Sequence, residues 1–398
     1  MRHSAKLPIA VVAILAGLAL AGCSTGTSTP TATGPIKIGL LTDLSGAQSL
    51  FGPPTKNVAE LAVKSLNAAG GINGRKVELV VGDDTSTPTA GVSATNRLIS
   101  QDGISALFGM DSSAVRDAVA PVTATANIPY FYTALFEGGT CQANMVTNGE
   151  VPAQQLATTI PWVQQQTGKN KWFLVGDDYI WGQTVVKKAA TYVTSAGGDV
   201  VGSELVPLGT TDFTSLITKI KASGANLLMP ALVGGDAIAF EKQAYAAGIG
   251  NAQIQRLAVL YENATRGGMG AAVADGMYNA MAYDQTIDSA KNTTFLAAYT
   301  KEFGTKAPPV TSLSEQTWVA INAWAEAARA AKSTSTKAVL GKVAGITFNG
   351  PAGPVTFGSD HYVTQSMYVT QSQPDGSVKV VKTFADVKPA EDCSIPLG

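Results

Sequence analysis

Short, β-branched apolar runs that take turns with amphipathic helical stretches constrain this chain more than any other feature. Ile36-Lys37-Ile38-Gly39-Leu40-Leu41 closes on Thr42-Asp43-Leu44-Ser45-Gly46 and reads as a buried strand running into a turn. Residues 56–69 then place Val58, Leu61, Ala62, Leu66 and Ala69 at helical spacing, and Gly70-Gly71 ends the run. Asn73-Gly74 turns the chain tightly into a second strand over 76–81. The same reading predicts a helix over 90–102, a strand over 106–109, a helix over 113–126 and a strand over 129–132. Strand and helix in alternation imply a parallel sheet with helices on both faces.

A second series follows Cys141. Helices are predicted over 153–166, 181–196, 213–223, 236–247 and 263–274, and strands over 172–176, 200–207, 226–230, 255–260 and 276–282. An alanine-rich helical stretch carries Trp318, Ile321 and Trp324 at helical spacing, and short strands follow near 347, 355–357 and 367–369. This tail breaks the alternation, so it completes earlier units rather than founding a third. The fold class is α/β, with length enough for two domains of ordinary size.

Charged residues are 14% of the chain and the net charge is -1, which offers no basic surface for nucleic acid. Beyond the N-terminus no apolar run approaches the roughly 18 residues of a membrane span, so the chain holds no transport pore of its own. Arg2 and Lys6 precede an apolar run from Leu7 to Leu20, in the order of a secretory signal. Leu20-Ala21-Gly22-Cys23 resembles the lipobox of bacterial lipoproteins, which implies removal of residues 1–22, lipid on Cys23 and anchorage to a membrane. The alternative is a plain secretory signal with a chance cysteine. Residues 23–35, rich in Ser, Thr, Gly and Pro, read as a flexible tether. The remaining thiols, Cys141 and Cys393, are expected to pair in an oxidising compartment, the alternative being two separate buried thiols.

Asn67-Ala68-Ala69-Gly70-Gly71-Ile72-Asn73-Gly74-Arg75-Lys76-Val77, after a first strand ending Asp43-Leu44-Ser45-Gly46, resembles the signature of type I periplasmic substrate-binding proteins. Phe136-Glu137-Gly138-Gly139-Thr140-Cys141, Asn144, Pro152-Ala153-Gln154-Gln155, Gly176-Asp177-Asp178-Tyr179-Ile180-Trp181 and Val206-Pro207-Leu208-Gly209 resemble the branch that binds urea and short aliphatic amides. Tyr132-Thr133-Ala134 departs from the serine- or alanine-threonine pair usual in the branched-chain amino acid binders. The resemblance implies two Rossmann-like lobes joined by a three-crossover hinge. Lobe one takes 36–151 and 283–342, and lobe two takes 152–282 and 343–398. It implies an ABC importer's binding protein that closes on a small polar solute and meets a membrane permease, with no cofactor. Branched-chain or other small amino acids are the alternative ligands, and a ligand sensor is the alternative role.

Ligands of open α/β sheets sit beyond the carboxyl ends of strands. That rule selects Asp111, Ser112, Ser113, Tyr132, Thr133 and Ala134 in lobe one, and Tyr179, Trp181, Gly234, Asp236, Tyr261 and Glu262 in lobe two. By the resemblance, Ser113 offers a hydroxyl and an amide to a ligand carbonyl or carboxylate, Tyr132 forms an aromatic wall, and Tyr179 and Trp181 form a lid. Asp111 could accept ligand N–H groups or be a solvated turn residue. Ser112 and Ser113 could cap a helix, Tyr179 and Trp181 could be core, Asp236 could cap its helix and Glu262 could lie at the surface. An enzyme is not indicated. After processing one histidine, His361, remains, and neither a nucleophile elbow nor a P-loop is present. The adjacent carboxylates Asp83-Asp84 and Asp177-Asp178 are expected to point apart.

Overall fold

Burial on both faces of the first strand sets the architecture. In the computed structural model, which describes residues 34–397 apart from Asp111 and Asp392, together with Met1, His3 and Ser4, β1 (Ile36–Thr42) buries every residue but Lys37. The expected cleavage site, lipidated Cys23, most of the tether and Asp111 lie outside the described residues. A strand can hide both faces only beneath two helical layers. β1 pairs in parallel with β2 (Val77–Asp83) on one side and β3 (Leu107–Met110) on the other. β4 (Tyr130–Tyr132) and β5 (Met145–Thr147) extend the sheet to the order β2-β1-β3-β4-β5.

The second sheet repeats that order. β6 (Lys171–Asp177) lies between β7 (Asp199–Val206) and β8 (Leu227–Ala231), followed by β9 (Gln255–Ala258) and β10 (Tyr278–Met281), all parallel. β11 (Thr347–Gly350), β12 (Gly353–Phe357), β13 (Val363–Ser372) and β14 (Val378–Val387) add antiparallel strands, with β13 on β10. The result is a two-lobe α/β fold in which each lobe carries the same doubly wound sheet.

The chain passes between lobes three times: from β5 to β6, from β10 to the helices Ala290–Phe303 and Ser312–Ala331, and from helix Thr336–Val343 to β11. The Ser312–Ala331 helix is anchored in the first lobe, where Val319, Ile321 and Trp324 pack against Ile38, Leu40, Phe108 and Phe131. Its start is fixed by a capping box: Thr311 Oγ1 accepts the Ser314 amide at 3.1 Å and Ser314 Oγ accepts the Thr311 amide at 2.8 Å. The hairpin β11–β12 straddles the division expected at residue 343. Its backbone joins the second sheet, while Val355 and Phe357 pack into the cluster around Trp324.

Two predicted helices are broken. Residues 153–166 form Pro152–Leu156 and Thr159–Thr167, and 263–274 divides into Asn263–Met269 and Ala271–Ala274 at Gly270, whose φ of +91° leaves the helical region. A third, predicted over 90–102, is α-helical over Pro88–Arg97 and finishes as a π-helical turn, Leu98–Asp102. Cys141 and Cys393 are joined as a disulfide with Cα atoms 5.4 Å apart, closing the tail onto the loop before β5. No helix among the described residues is long and apolar enough to cross a membrane.

Candidate functional site

In a sheet of order 2-1-3-4-5 the connections leave in opposite directions from the strands on either side of the switch point, and a crevice opens at their carboxyl ends. Here the switch points fall after β1 and β3 in one lobe and after β6 and β8 in the other. One cavity is lined from all four places: Gln48 and Phe51 after β1, Ser113 after β3, Tyr179 and Trp181 after β6, and Val233 after β8. Tyr132, Ala134 and Leu135 after β4, Leu260 after β9 and Leu313 complete it. Its volume is about 20 Å³, room for about one water-sized centre, so the lobes stand nearly closed on each other.

The first-lobe wall is built from a carboxylate outward. Asp43, 1% exposed, accepts the amides of Ser45 and Gln48 at 3.1 and 2.7 Å, as well as that of Gly46, and folds the loop that carries Gln48 to the cavity. Ser112 caps the helix Ser113–Thr125, its side chain accepting the Val115 amide at 3.3 Å. Ser113, 2% exposed, donates its hydroxyl to Glu137 Oε2 at 2.7 Å. Glu137 is held in turn by Arg116, fully buried, through Nη1 at 3.1 Å and a bond from Nη2 to Oε1. The Arg116 guanidinium lies 5.1 Å from the Tyr132 ring centre and 4.6 Å from that of Phe136, so aromatic faces share its charge.

The second-lobe wall begins at Gly182, where a Cβ would stand 2.1 Å from the Asp177 carbonyl oxygen. Only glycine lets the helix Ile180–Ser195 start so close to β6, and that approach brings Tyr179 and Trp181 over the cavity with ring centres 6.1 Å apart. Trp181 is 2% exposed and its indole N–H has no partner among the described residues. A buried donor without an acceptor costs about 1–3 kcal/mol, and here it belongs to a residue of the cavity wall. Behind this wall Asp177 Oδ2 accepts the Val233 amide at 2.8 Å. Burial pushes the Asp177 carboxyl up to about 8, opposed by the Val233 amide and reinforced by the neighbouring Asp236 carboxylate. Asp178 is exposed, so this adjacent pair does point apart, whereas Asp83 and Asp84 do not: each brings a carboxylate oxygen within 4.8 Å of the other and of Asp43.

Five residues selected from sequence therefore meet in the cavity: Ser113, Tyr132, Ala134, Tyr179 and Trp181. Asp111 lies outside the described residues, and the remaining ones do not line the cavity. Thr133 is buried against Thr317, their hydroxyl oxygens 2.8 Å apart. Asp236 does not cap its helix, whose first residue is Gly234; it accepts the amides of Gly209 and Thr210 at 2.7 and 3.2 Å. Tyr261 points into the second lobe's core with Phe213, Phe240 and Met269. Glu262 is 3% exposed rather than at the surface, and burial, with Glu150 nearby, raises its pKa well above the usual carboxylate range. Glu150 ties two crossings together, accepting the Ala282 amide at 2.7 Å and the Ser312 hydroxyl at 2.5 Å. Sequence reasoning passed over Gln48 and Phe51, although the strand-end rule applied to β1 selects their loop, and over the pair Arg116–Glu137.

Two like sheets thus face each other across a lined gap between their switch points. The chain belongs to the periplasmic binding protein family, whose model matches residues 35–377. It is 29% identical over 249 residues to a Leu/Ile/Val-binding protein homolog 7 of Brucella suis, an alignment covering 60% of this chain and 59% of that protein. The chain thus spans about three fifths of the length of that relative. The fold is similar to a solute-binding protein of an ABC transporter from Rhodopseudomonas palustris in complex with 3,4-dihydroxybenzoic acid (TM-score 0.79, 22% identity, 89% of this chain and 99% of that one). It is also similar to the branched-chain amino acid transporter substrate-binding protein LivJ from Streptococcus pneumoniae in complex with isoleucine (TM-score 0.80, 23% identity, 88% and 99%).

Proposed function

We propose that this chain is the solute-binding component of an ABC importer, exported, tied to the cell membrane by lipid on Cys23, and specialised for urea or a short-chain amide. The observation that carries the ligand reading is the chemistry of the cavity. Its described polar lining is neutral, from Gln48, Ser113, Tyr132, Tyr179 and Trp181, and the one buried cation behind it, Arg116, is already paired with Glu137 and Asp117. A free α-amino acid brings two charges into the cleft, and each needs a partner. A urea or amide brings a carbonyl oxygen that suits the unpaired Trp181 N–H, and N–H groups that suit hydroxyl and amide oxygens. Aromatic walls exclude water, so a few hydrogen bonds suffice to hold a ligand with little apolar area. Hinge closure would then present a trapped solute to a permease.

Branched-chain amino acids form the second reading, favoured by the names of the matched relatives and by the isoleucine complex of a similar fold. Calorimetric titration of the purified chain with urea, acetamide, formamide and leucine separates the two. Heat of binding from leucine alone would overturn the amide reading. Metabolic labelling with a fatty acid tests the anchor, with incorporation expected in the wild type and abolished by Cys23→Ala.

A further inference from the structure

A serine hydroxyl has one hydrogen to give and two lone pairs with which to receive. At Ser113 the hydrogen is committed to Glu137, and Glu137 cannot release it, because the carboxylate is bonded twice by Arg116, whose guanidinium stays charged in proteins. All three side chains are nine-tenths or more buried, so no water competes for these bonds. The hydroxyl at the cavity wall is left able only to accept.

We infer that Glu137, backed by Arg116, is a specificity-determining positioning residue: it fixes Ser113 Oγ as an acceptor, so the first lobe selects ligands that present an N–H group and disfavours the isosteric carboxylates. This inverts the donor role that family resemblance gives the Ser113 hydroxyl. Trp181, whose indole N–H has no partner among the described residues, lines the cavity from the other lobe and brings a donor to that side. The two walls thus have opposite polarity, matched by a group carrying a carbonyl oxygen and an N–H, as a primary amide does and a carboxylate does not. The inference rests on the reading that the cavity between the lobes is the solute site, and it sharpens the preference for amides into a stated atomic cause.

Glu137→Gln places an amide where the carboxylate stood. Its NH2 can donate to Ser113 Oγ and free the hydroxyl hydrogen to face the cavity. Calorimetry on full-length wild type, Glu137→Gln and Ser113→Ala, each checked for folding by circular dichroism, would use three isosteric pairs: acetamide and acetate, benzamide and benzoate, leucinamide and leucine. We expect the wild type to favour the amide of whichever pair it takes, and Glu137→Gln to shift the amide-to-acid affinity ratio toward the acid at least about tenfold, the weight of one hydrogen bond. Should the loss of Arg116's counter-ion unfold that variant, Ser113→Ala leaves the Arg116–Glu137 pair intact and should still cut the ratio. A ratio unchanged in folded Ser113→Ala overturns the inference while leaving urea or acetamide binding as it was. A wild type that takes benzamide over benzoate but ignores urea and acetamide ends the small-amide reading and upholds the role of Glu137. Preference for an acid over its amide, or no amide bound at all, ends both.

Discussion

Gly234 in the second lobe and Ala47 in the first meet across the cleft: a Cβ on Gly234 would stand 3.2 Å from the Ala47 carbonyl oxygen. Gly234 also has φ +50°, a left-handed conformation that costs other residues roughly 1–2 kcal/mol. Gly234→Val should therefore show two separable effects. Backbone strain lowers the melting temperature by a few degrees, and the side chain wedges the lobes, weakening solute binding at least tenfold. Small-angle scattering at saturating solute checks the second effect. Scattering dimensions as compact as those of the wild type would show that this contact does not govern closure.

Trp181→Phe removes one N–H together with part of a fully buried ring. The lost packing destabilises the unliganded chain, and relief of the donor that has no partner among the described residues offsets part of that cost, so the melting temperature should fall by no more than a few degrees. Affinity for a carbonyl-bearing solute should fall by about tenfold or more. Calorimetry alongside thermal melting reads both, and an indole that serves only as packing would leave affinity unchanged. Tyr132→Ala and Tyr179→Ala should weaken binding in a folded chain by removing walls rather than a bond.

What could be read from sequence follows from where burial leaves a mark. β1, β6 and β8 are hidden on both faces and appear as continuous apolar runs. β5, only three residues long, carries too little pattern to register, and β14 is a largely exposed edge strand punctuated by Lys379 and Lys382. Ser113, Tyr132, Tyr179 and Trp181 were reachable because topology sends ligands to strand ends. Arg116 and Glu137 were not: they are 21 positions apart on a helix and a loop, and only the fold makes them a pair. Tyr261 was misdirected for the converse reason, since a residue at a strand end can still turn its side chain inward.

The Cys141–Cys393 disulfide closes a loop across 252 positions. A cross-link over so long a span removes much freedom from the unfolded chain, with typical stabilisation of about 2–4 kcal/mol. Reduction, or Cys141→Ser with Cys393→Ser, should lower the melting temperature by several degrees while solute affinity changes less than about threefold, because neither cysteine lines the cavity. Differential scanning calorimetry with and without reductant, paired with titration of a bound solute, gives both quantities. A large loss of affinity would mean that the tail sets the balance between open and closed lobes.

Asp177 supplies a pH dependence whose sign is fixed by burial. Its carboxyl is raised to about 8 in the fold, against about 3.9 for an unperturbed aspartate. Between those values the folded chain keeps a proton that the unfolded chain has released, so unfolding is favoured progressively as pH rises through the window. The stabilisation is complete below about pH 4 and gone above about pH 8. Glu315, pushed up to about 8, and Asp84, pushed up to about 7, slope the same way, so the test is a difference between two proteins rather than one curve. Asp177→Asn keeps an oxygen for the Val233 amide and removes the titration. Melting temperatures at pH 5, 7 and 9 should fall more steeply for the wild type than for Asp177→Asn, with the gap widening toward pH 9 in the variant's favour. Parallel curves would mean that Asp177 stays ionised beside Asp236 across this range.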